Sequence, residues 1–180
     1  MIRSPRRNSL RHPTHDYRGD GNYLITVRAH GWQHLFGYVS DNRMHPAAIG
    51  ALIVDQCRDV SNWCPVASID CVTVMPNHLH FILVMRGATY DCGPRDGRGP
   101  QKSSVSMVVG QVKSRTTAAA IREGLWIRGT PLWHRSFHDR WLRDLRALRA
   151  ARRYLELNPR RWQEKYGPGL MGDPSGRPYR

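Results

Sequence analysis

The sequence predicts an α+β fold, an antiparallel sheet with helices packed on one face and a further helix near the C-terminal end. Three observations predict it. Residues 66–74 and 78–85 are apolar, β-branched runs separated by Met75-Pro76-Asn77, which fits a tight hairpin connection. Three other stretches repeat their apolar residues at helical spacing instead of alternating them. The two kinds of stretch are interleaved, and 180 residues suit one domain with a sizeable core plus arms and loops.

Taken in order, residues 1–21 form a polar arm carrying Arg3, Arg6, Arg7 and Arg11. Tyr23-Leu24-Ile25-Thr26-Val27 reads as the first strand, rich in β-branched and aromatic side chains. A helix is predicted over 46–59, where Ile49, Leu52, Ile53, Cys57 and Val60 fall at helical spacing and Pro46 suits a first turn. The hairpin follows, and residues 86–102 read as a mobile loop because they are rich in glycine and proline. Ser103 or Ser104 can cap a second helix with Val105, Val108, Val109, Val112, Thr116 and Ala119 on one face, ended by Gly124. Residues 133–137 make a fourth strand and 142–157 a third helix. The order β-α-β-β-α-β-α is the ferredoxin-like arrangement, which RNA-recognition domains share, and it fixes no function by itself. The expected organisation is an arm at 1–21, one domain over 22–162, and a flexible tail rich in Gly, Pro and Arg at 163–180.

Charge is the strongest bulk signal. Twenty-eight Lys and Arg stand against 14 Asp and Glu, a formal net charge of +14, and lysine occurs only at positions 102, 113 and 165. Guanidinium groups grip phosphate with two hydrogen bonds and stack on flat rings, so this balance favours nucleic acid as a partner. No apolar run approaches a membrane span, and residues 1–11 lack the apolar stretch of a secretory signal, so a soluble, cytoplasmic protein is expected. Cys57, Cys64, Cys71 and Cys92 form no C-x-x-C pair, which argues against a structural zinc site and for reduced thiols.

Two groups of residues carry chemistry. His78 and His80 flank Leu79 on a strand, so both imidazoles project from one face while Leu79 and Phe81 enter the other. Imidazoles about 7 Å apart along a strand can hold one metal ion and leave positions open for a substrate. H-x-H is common by chance, but this pair opens a strongly apolar strand straight after a turn, where two polar rings are hard to explain as packing. On the third helix, Trp141, Leu145, Leu148 and Leu155 form a core-facing stripe, with Arg152 a discordant member of it. Tyr154 lies off that stripe above Ala147 and Ala151, which leave it accessible. Asn158, four residues on, shares its face if the last turn holds. It either lends an amide oxygen to a metal or merely stops the helix before Pro159.

Tyrosine is a weak nucleophile near neutral pH, since its hydroxyl titrates near pH ~10. A metal at His78, His80 and Asn158 would polarise a phosphoryl oxygen and orient a phosphodiester for in-line attack by Tyr154.

His78-Leu79-His80 resembles the histidine–hydrophobic–histidine motif of the HUH endonucleases. Tyr154-Leu155-Glu156-Leu157-Asn158-Pro159 resembles the tyrosine helix of their single-tyrosine branch, and the match is closest to the REP-associated tyrosine transposases. The resemblance runs from Arg6-Arg7 and Asp16-Tyr17 through Val74-Met75-Pro76-Asn77, Lys113-Ser114 and Leu132-Trp133-His134-Arg135-Ser136-Phe137 to Asn158-Pro159-Arg160-Arg161-Trp162. It implies an HUH-type ferredoxin-like sheet, Tyr154 as nucleophile, and His78 and His80 as ligands of Mg²⁺ or Mn²⁺, with Asn158 where a third polar ligand belongs. It further implies single-stranded DNA with hairpins as substrate, a 5′-phosphotyrosine intermediate, and action as a monomer or homodimer. Phosphate contacts are then expected from Arg6, Arg7 and Arg11, and from Lys113, Arg115, Arg135, Arg152, Arg153, Arg160 and Arg161. Two other readings compete: a non-catalytic single-strand-binding module with an RRM-like sheet, which would show aromatics on the sheet, and a metal-dependent hydrolase with no use for Tyr154.

Overall fold

A computed structural model describes residues 20–86 and 104–167; the arginines of the arm (Arg6, Arg7, Arg11), nearly all of the loop expected at 86–102 and most of the expected tail lie outside them. Strand β1 (Gly21–Ala29) leads through a 3-10 turn (His30–Trp32) into a small hairpin of β2 (Gly37–Ser40) and β3 (Arg43–Pro46). Helices α1 (Ala48–Arg58) and α2 (Val60–Trp63) follow, then β4 (Ala67–Met75), β5 (His78–Met85), α3 (Val105–Arg122), β6 (Trp133–Leu142) and α4 (Leu145–Tyr166). β4, β5, β1 and β6 form one antiparallel sheet in that spatial order, so the histidine strand lies inside it. No helix of the described residues is long and apolar enough to cross a membrane.

Alternation divides the sheet into two unlike faces. Tyr23, Ile25, Val27, Leu79, Phe81 and Leu83 point one way and are fully buried under α1 and α3, making the main core. The second helix meets its expectation: Ser104 caps it by accepting from the Met107 N–H at 3.2 Å. All six of its predicted core residues are buried, and Gly124 follows its end at φ +71. On the opposite face, Leu24 and Ile82 pack with Leu142, Leu148, Ala151 and Leu155 beneath α4.

Three expectations are corrected. Pro46 ends β3 instead of opening α1, because the Phe36 carbonyl accepts from the Ala47 N–H at 2.9 Å and starts the helix there. Gly50 permits that approach, since a Cβ at this position would collide with the same carbonyl. The β2–β3 hairpin was not anticipated; it closes through Asp41 and Asn42, both at positive φ, as a tight primed turn requires.

The third correction concerns the tyrosine helix, which begins at Leu145 and not at 142, because Asp144 caps it by accepting from the Ala147 N–H at 2.7 Å. Trp141 therefore belongs to β6, Leu145 is 69 % exposed, and only Leu148 and Leu155 of the expected stripe are buried, joined by Ala151 and Asn158. Arg152, discordant on that stripe, is explained by a partner: its Nε and Nη2 each donate to the Asp70 carboxylate at 2.8 Å, at the bulge of β4.

The helix also runs through Pro159 to Tyr166, so residues 163–166, expected in the tail, form its last turn. Proline has no N–H for the carbonyl four residues back, that of Leu155. The Thr73 hydroxyl of β4 donates to that carbonyl at 3.2 Å and takes the missing donor's place. Replacing Thr73→Val should cost roughly 1–2 kcal/mol in chemical denaturation, because a half-buried acceptor loses its partner. In a Pro159→Ala background the restored N–H should remove most of that cost. Equal costs in the two backgrounds would refute the coupling.

Candidate active site

The face of the sheet beneath α4 is apolar at one end and polar at the other. Register places Thr26 beside His80 and Arg28 beside His78 on adjacent strands. His78 is half-buried and His80 only 5 % exposed, and their rings meet edge to face with centroids 4.6 Å apart.

Each imidazole is held through Nδ1. The Asn77 amide donates from Nδ2 to the Trp32 carbonyl at 3.5 Å, which turns its Oδ1 to within 2.7 Å of His78 Nδ1. A carbonyl oxygen only accepts, so His78 Nδ1 carries the proton and Nε2 keeps its lone pair. The Thr26 hydroxyl, which can donate or accept, stands 2.8 Å from His80 Nδ1 and holds the orientation of that ring. Burial, with the charges of His80, His34 and Arg28 adding to it, pushes the His78 pKa down to about 3. Burial likewise takes His80 down to about 4. Both rings are therefore neutral near pH 7.

α4 brings the tyrosine to this pair. The Tyr154 hydroxyl lies 3.5 Å from His80 Nε2, and the two rings are in edge contact at 5.4 Å. A cleft of about 320 Å³ opens beside them, lined by Ala147, Ala150 and Ala151 and by Arg140 from β6. The small residues beneath Tyr154 thus leave room, as the helix pattern implied.

Asn158 is buried in mid-helix, where its Nδ2 donates to the Tyr154 carbonyl at 3.0 Å. It is no helix stop, and with its nitrogen committed, its oxygen is the atom left for a ligand role. Among the described residues, no third His, Cys, Asp or Glu joins the pair as a metal-binding cluster. The candidate donors are two neutral imidazoles on one face of the sheet and the amide oxygen of Asn158 on the helix that crosses it. That set fits a divalent cation with open positions.

The basic residues divide. Arg161 reaches the site, its guanidinium carbon 5.6 Å from the centre of the Tyr154 ring. Arg153 is exposed on α4 beside Tyr154, and Arg135 is exposed on β6. Arg152 is engaged by Asp70, whose carboxyl that hydrogen bond holds below its usual range, and Arg160 by Glu164 at 2.8 Å. Lys113 and Arg115 lie on α3, across the sheet from the histidines. Lys113 donates to the carbonyls of His134 and Arg135 at 2.8 and 3.1 Å, and Arg115 covers the Trp63 ring at 4.8 Å. Reasoning from sequence missed Thr26, Asn77 and Arg140 as site residues, and also Trp162, whose ring lies 5.8 Å from His78 and 5.5 Å from His34. Strand register alone could have flagged Thr26, and Asn77 adjoins His78 in sequence, whereas Arg140 and Trp162 become visible only once α4 is docked.

The buried histidines predict a pH dependence. Unfolded, they protonate near 6.5, whereas folded they do so near 3 and 4. Their contribution to stability is therefore full above about pH 6.5 and is lost as pH falls toward the folded values, because the unfolded chain binds more protons. Denaturation with chelator present should show falling stability from pH 7 to 4. His80→Gln should lower the slope by up to about 1.4 kcal/mol per pH unit. Identical slopes for wild type and variant would contradict a neutral buried His80.

No family model matches the chain. An uncharacterized protein of Haemophilus influenzae is 26% identical over 167 residues, covering 88% of this chain and 91% of its own length. Among solved structures, a REP-associated tyrosine transposase bound to a REP hairpin superposes with a TM-score of 0.57 at 16% identity, over 84% of this chain and 74% of that one. A candidate transposase from Deinococcus radiodurans aligns at 12% identity over 81% of this chain and 95% of its own, with a TM-score of 0.46. With its antiparallel sheet, α1 and α3 on one face and the tyrosine helix on the other, this chain has the fold of a REP-associated tyrosine transposase.

Proposed function

We propose that this chain cleaves and rejoins single-stranded DNA at hairpins, with Tyr154 as the nucleophile. The observation that carries the reading is the Tyr154 hydroxyl 3.5 Å from Nε2 of a buried, neutral His80, beside an open cleft. His78 and His80, through Nε2, and Asn158, through its amide oxygen, would hold the divalent ion. Of the two expected ions, imidazole nitrogen suits Mn²⁺ better than Mg²⁺. When bound, such an ion supplies Lewis-acid stabilisation of phosphoryl charge.

In the reaction, Tyr154 releases its hydroxyl proton to solvent as its oxygen forms a bond to phosphorus and the bond to the 3′ oxygen breaks. The departing 3′ oxygen takes up a proton, and the 5′ phosphate stays on the protein. Arg161, above the tyrosine ring, and Arg140, in the cleft wall, supply positive charge for the phosphate. The phosphodiester energy is conserved in the phosphotyrosine, so the step can run backwards onto another 3′ end. Tyr154 meets His80 of its own chain, which supports assembly of the set within one copy.

The binding-module reading has less support. RNA-recognition sheets stack bases on an open, aromatic face, whereas α4 lies across the corresponding face here and the strand beneath it presents histidines. The hydrolase reading leaves unexplained why the tyrosine hydroxyl approaches His80.

Incubation with single-stranded hairpin DNA from beside the gene and Mn²⁺ should yield a protein–DNA adduct on a denaturing gel. Tyr154→Phe or chelator should abolish it, and His78→Ala or His80→Ala should lower its yield at least about 100-fold, as loss of a site ligand does. Undiminished cleavage by Tyr154→Phe would sink the mechanism.

A further inference from the structure

The turn that follows β1 does something the cleavage reading leaves unused. Gly31 and Trp32 both adopt positive φ, +63° and +62°. Glycine takes that conformation freely, but a tryptophan does so only where its surroundings impose it. They do so here from both sides. His30 N–H donates to the Leu132 carbonyl at 2.9 Å, and Ala29 N–H donates to the Asn77 carbonyl at 2.9 Å. The Trp32 carbonyl itself accepts from the Asn77 side chain, the same amide that orients His78. The strained turn is thus fastened to the histidine pair through one residue.

The outcome of this strain is an exposed indole. Trp32 is 46 % exposed, whereas the other five tryptophans are buried or half-buried. The guanidinium of Arg28 lies over its ring, 4.3 Å from the centroid. Arg28 is the strand partner of His78, and its charge is felt there. Stacking occupies the flat face of a guanidinium and leaves its N–H edge free to donate, the geometry that grips phosphate. An exposed indole backed by a cation is also what single-strand-binding grooves use to hold bases, with stacking for the base and charge for the backbone.

We propose that Trp32 and Arg28 form a nucleotide subsite next to the histidine pair: Trp32 stacks one unpaired base of the single-stranded DNA, and Arg28 holds the phosphate beside it. The inference rests on the DNA-cleaving reading and deepens it, since it places one unpaired nucleotide on the His78 side of the site, away from the cleft at Tyr154. Stacking accepts any base, so this subsite contributes affinity and positioning and little sequence preference.

The test uses the full chain carrying Tyr154→Phe, so that DNA is bound but not cut. Fluorescence anisotropy would report affinity for a labelled hairpin with unpaired flanks, and for a series in which each flanking nucleotide in turn is made abasic. One abasic position should weaken binding about tenfold, as loss of a single stacked base does. Trp32→Ala should weaken binding of intact DNA to a similar extent and make that abasic position neutral, while Trp32→Phe keeps most of the affinity. Arg28→Gln should lower the salt dependence of binding by about one phosphate contact. Equal affinity of parent and Trp32→Ala, or an abasic profile that Trp32→Ala leaves unchanged, overturns the subsite. Adduct formation by the wild-type chain is scored separately. An adduct without Trp32 dependence removes only the subsite, whereas Trp32-dependent stacking without an adduct removes the cleavage reading and keeps the subsite.

Discussion

A helix that carries Tyr154 across a sheet to the histidine pair must hold its line, and α4 has to do so through a proline. Pro159 withdraws the donor that the Leu155 carbonyl would normally receive, and the Thr73 hydroxyl of β4 supplies it instead. Everything beyond that point on the helix depends on the substitution. Without a donor there, the chain would tend to bend or stop near Asn158, as the local sequence suggests it should. With it, Asn158 is buried in mid-helix, Arg161 returns over Tyr154, and Trp162 reaches His78. The two turns after the proline are further held by Gln163, which accepts from the Asn42 N–H at 2.7 Å and so ties the helix to the β2–β3 hairpin.

The second organising effect is desolvation. A covered polar face would ordinarily be unfavourable, and the protein resolves this by keeping the imidazoles neutral and giving each Nδ1 a fixed partner. Burial is the leading cause of both depressed pKa values, ahead of any neighbouring charge. The same environment that makes the rings poor bases leaves the Nε2 lone pair of His78 available. Asn77 is central to this arrangement, since one amide orients His78 and fastens the turn that carries Trp32. Folding energy and site geometry are here the same set of hydrogen bonds.

Positive charge is distributed less uniformly than a net value of +14 implies. Some of it is structural: Arg152 clamps α4 to the bulge of β4, Lys113 ties α3 to the start of β6 through two carbonyls, and Arg160 pairs along its own helix. Arg28, Arg140 and Arg161 gather instead around the histidines and the tyrosine. An anionic ligand approaching that face of the sheet would therefore meet a focused field.

The sequence by itself determined the sheet and its two faces, because alternation along a strand is a local geometric rule. It also determined the α3 stripe and the shared face of His78 and His80. The pairing of Tyr154 with Asn158 followed from helical spacing, although Pro159 made the local pattern point to a helix end. What only the tertiary structure decided were the features that depend on partners distant along the chain. The donor that carries α4 past Pro159 comes from a residue 82 positions away, and the carboxylate that explains Arg152 is equally remote. The Thr26–His80 contact requires strand register, and the roles of Arg161, Arg140 and Trp32 require the docked helix and the strained turn. Periodicity tells which way a side chain points, but which group it then meets is set by packing between segments, and a single sequence does not encode that in its local pattern.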